Sequence, residues 1–186
     1  MKLNLLAGAW LIGTCMIATC AYAATPEEDE AKVRASVKAN LGKATVTLLD
    51  AMKAATTKIP GSHPVESGFE VDKDQLFFYI EVISGIKHQD VVIDAKSGKV
   101  LSVDDTEDED AEEKKIEEAA TKAKITMKQA VEIAQKQVPR GKPFEAIADM
   151  DGPTLVYLVS VLTSDKFVAV LIDANSGKVL GVEESK

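Results

Sequence analysis

Beyond its first 23 residues the chain contains neither cysteine nor tryptophan, because Cys15, Cys20 and Trp10 all lie in the amino-terminal stretch. Without thiols the remainder can build no disulfide framework and no cysteine-based metal site, so its stability has to come from packing. Histidine is scarce too, with His63 and His88 as the whole supply. A zinc site would need carboxylates for most of its ligands, and no H-x-x-x-H spacing is present. There is no G-x-S-x-G elbow and no phosphate-cradling glycine loop, so no catalytic residue is nominated and the expectation is a non-enzyme without cofactor or metal. Positive charge is the minority sign, 22 Lys and Arg against 30 Asp and Glu, a net of -8. Such a surface repels phosphate backbones, which excludes nucleic acid and favours a cation or a cationic partner.

What is present begins with a lone Lys2, an apolar run from Leu5 to Ile17, and small residues ending in Ala21-Tyr22-Ala23. This order is that of a secretory signal peptide over 1–23, cleaved after Ala23. The apolar run is short for a membrane span of roughly 20 residues, and the acidic ATPEEDE that follows is the wrong flank for an anchor. A lipoprotein would need a small residue before an early cysteine, whereas threonine precedes both Cys15 and Cys20. The expected product is periplasmic or secreted, with no stable membrane anchor after cleavage. Losing Lys2 leaves 21 basic and 30 acidic residues, a net of -9.

The rest of the chain repeats itself. Displaced by 79 positions (173 - 94), Ala51 meets Ala130, Pro60 meets Pro139, Glu66 meets Glu145 and Asp72 meets Asp151. No gap is needed from Asp50 to Leu101, so a whole small domain has been duplicated. The division read from this register is a helical arm over 24–42, a first domain over 43–104, an acidic helical connector over 105–123 and a second domain over 124–186.

Each copy opens with a helix. Met127, Ala130, Val131, Ala134 and Val138 recur at helical spacing, as do Leu48, Ala51, Met52, Ala55 and Ile59. Thr126 with Gln129 forms a capping box, Thr47 is the matching cap, and Pro60 and Pro139 stop the helices. Short strand segments follow near Gly68 to Val71 and Ala146 to Met150. After them come the β-branched and aromatic runs LFFYIEVI and LVYLVSVL, then KHQDVVID and KFVAVLID, then KVL with its flank. Phe77 and Tyr79 face away from Phe78 and Ile80, which makes them candidates for an exposed apolar patch. His63, in a loop beside Pro64, is expected to be exposed. His88 aligns with Phe167 and is expected to be partly covered.

Between the last two strands of each copy stands D-A-x-S-G-K. Asp94 and Asp173 can accept from amides within a tight turn, and Gly98 and Gly177 can take positive φ, so the motif is a structural turn rather than a catalytic site. The connector carries clustered carboxylates from Asp104 to Asp110, then alternating blocks of Glu and Lys suited to a solvated helix. Carboxylates could collect Ca²⁺, yet no glycine bends the run as a calcium loop requires.

The helix, the proline stop, the strand with Tyr157, Val159 and Val161, and the closing hairpin with Val170, Ile172, Asp173, Ala174, Gly177, Lys178, Val179 and Leu180 resemble the PepSY domain family. In the first copy the matching residues are Phe78, Ile80, Val82, Val91, Ile93, Asp94, Ala95, Gly98, Lys99, Val100 and Leu101, with Phe78 standing where the family has Tyr. The resemblance implies an α+β fold, two tandem copies of a helix packed on a three- to four-stranded antiparallel sheet in a cystatin-like layout. It also implies a non-catalytic exported module that binds a protein partner in trans, and inhibits or regulates a peptidase outside the cytoplasm. The alternative reading is a cell-envelope sensor or accessory protein that binds cations through its acidic surface. A direct check of the turn assignment is Gly98→Val, which should destabilise the protein by about 1–2 kcal/mol through the left-handed backbone penalty. An unchanged unfolding midpoint would defeat it.

Overall fold

Two threonines decide where the packed helices begin. In the computed structural model, which describes residues 26–85, 87–106 and 111–185, four helices form: α1 (Pro26–Asn40), α2 (Leu48–Lys58), α3 (Ala111–Lys122) and α4 (Met127–Gln137). The Asp50 amide donates to Thr47 Oγ1 at 3.2 Å while the Thr47 amide donates to Asp50 Oδ2 at 3.1 Å. Gln129 makes the same reciprocal pair with Thr126, at 3.3 and 2.8 Å. Both capping boxes satisfy amides that the helix itself leaves orphaned. The stripes bury Leu48, Ala51, Met52 and Ala55 on α2, and Met127, Ala130, Val131 and Ala134 on α4.

Eight strands follow the two packed helices in two sets. The first set is β1 (His63–Asp72), β2 (Gln75–Ser84), β3 (Lys87–Asp94) and β4 (Val100–Asp105). The second is β5 (Lys142–Asp151), β6 (Thr154–Leu162), β7 (Phe167–Asp173) and β8 (Val179–Ser185). They do not make two sheets. All eight join in one antiparallel sheet of order β4-β3-β2-β1-β5-β6-β7-β8, so the copies meet edge to edge through β1 and β5.

That junction explains why the first strand of each copy is longer than its residues suggest. β1 and β5 run ten residues each, not the short segments expected near Gly68 and Ala146. Ser67, Gly68 and Pro64 are poor strand formers taken alone. Pairing on both sides, to β2 and to β5, overrides that weak local preference. Ser67 sits opposite Ala146, its own counterpart in the repeat (67 + 79), and Glu66 and Gly68 sit opposite Ile147 and Glu145. A pseudo-two-fold axis therefore passes through the Ser67–Ala146 pair, and the contact is self-complementary like that of a symmetric dimer.

One core results. Residues of all four helices and of both strand sets belong to a single buried cluster, from Val37 and Leu41 through Phe78, Val91 and Ile93 to Val159, Val170 and Ile172. Phe69 packs edge-on to Phe78 at 5.4 Å between ring centres, and Phe144 edge-on to Phe167 at 5.7 Å. The Arg34 guanidinium of α1 lies over the Phe167 ring and donates to Ser185 Oγ at 2.6 Å, tying the arm to the far half of the sheet. Among the described residues no helix is long and apolar enough to cross a membrane. The expected cleavage point at Ala23 and the acidic residues 107–110 lie outside the described residues.

Two glycines, Gly68 inside β1 and Gly141 just before β5, should respond oppositely to an added methyl. A Cβ on Gly141 would collide with Val161 Cγ1 and press on Val138, whereas one on Gly68 meets nothing within 4 Å. Gly141→Ala is expected to cost about 1–3 kcal/mol, and Gly68→Ala to gain about 0.5–1 kcal/mol from the lower chain entropy. Chemical denaturation of the two variants reads both signs.

Candidate binding face of the sheet

Strand alternation sends one residue parity into the core beneath the helices and the other to the opposite face. On the first copy that opposite face carries Glu66 and Glu70 from β1, Phe77, Tyr79 and Glu81 from β2, His88 and Asp90 from β3, and Asp104 from β4, as the cross-strand pairs Glu66–Glu81, Glu81–Asp90 and Asp90–Asp104 require. Shifted by 79, the same positions in the second copy are Glu145, Asp149, Val156, Leu158, Ser160, Phe167, Ala169 and Glu183. Val156, Leu158 and Leu171 form a second, smaller apolar cluster with Ala169, to which no described helix contributes. The same face therefore carries carboxylates in the first copy and buried aliphatic side chains in the second.

The acidic half is internally bonded. Tyr79 Oη donates to Asp90 Oδ1 at 2.6 Å, and His88 Nδ1 stands 3.0 Å from Glu81 Oε1 with the imidazole buried. At the junction Ser160 Oγ donates to Glu145 Oε2 at 2.8 Å. Burial, then the nearby Glu81 and Glu145 charges, pushes Glu66 from its ordinary 4.5 up to about 7. Burial also raises Glu70, with the Asp90 charge adding to it. Asp90 is raised by burial as well, against the opposing pull of the Tyr79 hydroxyl. The Tyr79 phenol is raised by burial and by its bond to Asp90. These are carboxylates held close together and partly out of water, which is costly unless protons or cations accompany them.

Ser160 donates to a carboxylate rather than to an imidazole. Among the described residues no group of three or more His, Cys, Asp or Glu is placed to hold a metal ion.

The turn residues stand at the ends of β3 and β7, where Asp94 pairs with Phe77 and Asp173 with Val156. Asp94 Oδ1 accepts from the Ser97 amide and hydroxyl, both at 2.6 Å, and Gly98 has φ +71°. Asp173 Oδ1 accepts from the Ser176 amide at 2.6 Å and hydroxyl at 2.8 Å, and Gly177 has φ +70°. The Ser97 and Ser176 hydroxyls, then their amides, hold the two carboxyls below the usual range. His63 is exposed near the start of β1.

Phe77 and Tyr79 do face away from Phe78, but they are half-buried among carboxylates instead of forming an exposed apolar patch, and the apolar residues at the matching positions of the second copy, Val156 and Leu158, are buried. Sequence reasoning singled out His88, which aligns with Phe167, and missed Glu66, Glu70, Glu81 and Asp90 as members of one face. Aligning the alternate strand residues of the two copies would have found Glu81, whose counterpart in the repeat is Ser160, but not Glu66, whose counterpart is another glutamate.

Comparison with known proteins adds a family. The model described as "Peptidase propeptide and YPEB domain" matches residues 45–104 and again 124–183. Among solved structures, a candidate lipoprotein of Clostridium difficile 630 is 24% identical, with 76% of this chain and 95% of that one covered and a TM-score of 0.46. The Bacillus megaterium YpeB C-terminal domain is 16% identical, with 77% and 67% covered and a TM-score of 0.29. No curated protein matches.

The Glu66 shift has a definite sign. Because its folded value of about 7 lies above its ordinary 4.5, the folded state holds the proton more tightly, and stability falls as pH rises through that window and then levels. Urea midpoints at about pH 5 and about pH 8 should show this loss, and Glu66→Gln should flatten it. An equal slope in that variant would remove Glu66 as its source.

Proposed function

Because the chain belongs to the PepSY family of peptidase propeptide and YPEB domains, matched in both copies, we propose that it is a non-catalytic module that acts outside the cytoplasm by binding another protein and restraining a peptidase. The observation that carries the reading is this double match over most of the chain downstream of the arm. The face offered for the contact is the acidic half of the sheet, where Glu66, Glu70, Glu81 and Asp90 gather around Tyr79. A partner that brings Lys or Arg to this surface relieves the crowding of like charges as it binds, so electrostatics favours both the encounter and the register.

The amino-terminal pattern ending at Ala23 supports export. A cation-binding accessory role is the second reading, favoured by the same raised carboxylates. Calorimetric titration with Ca²⁺ and Mg²⁺ distinguishes it, since heat absent at millimolar ion removes it.

The protein should form a complex with, and slow, at least one secreted or periplasmic peptidase. In the variant Glu70→Lys, which leaves the Tyr79–Asp90 bond in place, affinity should fall by about tenfold or more. Absence of both complex and inhibition across a panel of such peptidases would overturn the peptidase reading.

A further inference from the structure

A cavity of about 260 Å³ lies on the helix side of the sheet, between α2 and the start of β1 from the first copy and α3, α4 and β6 from the second. Its wall is apolar where it is deepest: Met52, Met127 and Tyr157 are each 2% exposed or less, and Ala120 is 8% exposed. At its rim stand two exposed nitrogen-bearing side chains, Lys128 and His63.

The duplication shows what is unusual about this space. The pseudo-two-fold axis requires a mate of the cavity in the other half, and the register holds there, since Ala44 donates to Leu41 O and Ala123 donates to Ala120 O, both at 3.3 Å. In that mate Leu41 stands for Ala120, Leu49 for Lys128 and Gly141 for Ser62. Leu41 is buried, and Gly141 is packed so closely that no Cβ fits. In one of the two related sites a buried leucine thus stands at the position of Ala120. The other is emptied by an alanine and given a cation at its mouth.

The hydroxyls that line the cavity are already used as donors. Ser62 donates to Ile59 O at 2.7 Å, Thr56 to Met52 O at 2.9 Å, and Tyr157 to Ile125 O at 3.2 Å. A polyhydroxylated ligand would find few donors there. An aliphatic chain would replace what Leu41 supplies in the mate, and an acid group would meet Lys128. At about 30 Å³ per water-sized group, the volume takes roughly eight or nine such groups.

We infer that this cavity is a binding site for a small anionic amphiphile, a medium-chain carboxylate whose tail lies against Met52, Met127 and Ala120 and whose head meets Lys128 at the rim. The site is separate from the acidic sheet face and does not depend on a peptidase partner.

Octanoate is the probe, followed by titration calorimetry and by the methyl resonances of Met52 and Met127 in the purified protein. Both methionine methyls should shift on addition of octanoate, and octylamine should bind at least about tenfold more weakly. Ala120→Leu should abolish the shifts by filling the space as Leu41 does, and Lys128→Glu, at an exposed position that leaves the core untouched, should weaken octanoate by about tenfold or more. Unmoved methionine methyls at millimolar octanoate would overturn the site. Equal binding of octanoate to Lys128→Glu, or of octylamine to the unmodified protein, would overturn the assignment of an acidic head. If an apolar peptide shifts the methyls while octanoate does not, the cavity is a partner's anchor pocket and the small-ligand proposal fails.

Discussion

Everything in this fold depends on a strand pairing with its own repeat. β1 and β5 meet so that Ser67 opposes Ala146 and the flanking residues exchange places across the axis. The side chains at the centre are small, and Ser67, fully buried, donates to Ala146 O at 3.2 Å and lies 3.8 Å from Met127 Sδ. A larger pair here would push apart the helices that cross the junction. Small residues let the α4 methionine reach the strand of the other copy, and two modest domains acquire one shared core. For units of about 60 residues this matters, because each alone buries a modest share of its surface.

The junction also fixes where the unpaired edges fall. Having used β1 and β5 internally, the sheet ends in β4 and β8, and both of these are interrupted by a register shift, opposite Val92/Ile93 and Leu171/Ile172. The shifts turn Leu101 and Leu180 outward, 57% and 46% exposed. Acidic residues follow in each case, Asp104 and Asp105 on one edge, Glu183 and Glu184 on the other. Bulges and charge are the usual devices that keep edge strands from pairing with other molecules, so the eight-stranded sheet stops at eight.

What could be read from the sequence was local in origin. Thr47, Thr126, the proline stops and the D-A-x-S-G-K turn act through residues three or four positions apart, and the chain shows them without any knowledge of its fold. The β1–β5 pairing joins residues 79 positions apart through side chains with weak strand preference, and nothing in a local pattern announces it. The acidic face escaped for a related reason. Glu66 and Glu81 are 15 positions apart (81 - 66) and become neighbours only through the β1–β2 register; the cavity, likewise, depends on a comparison of Ala120 with Leu41 that has meaning only once the axis is known.

Symmetry in the core and asymmetry at the surface together constrain what can cover the acidic half. A second copy stacked face to face by a two-fold axis would set this half against itself or against the other half. In the first case Glu66, Glu70, Glu81 and Asp90 would meet like charges, and in the second they would be desolvated against hydrocarbon. Burying a cluster of carboxylates costs more than the contact returns unless they are protonated or neutralised. Burial already raises Glu66, Glu70 and Asp90 toward the protonated form, so covering them with an uncharged surface would drive these carboxylates to take up protons from solvent. A surface that brings positive charge would neutralise these carboxylates without that step.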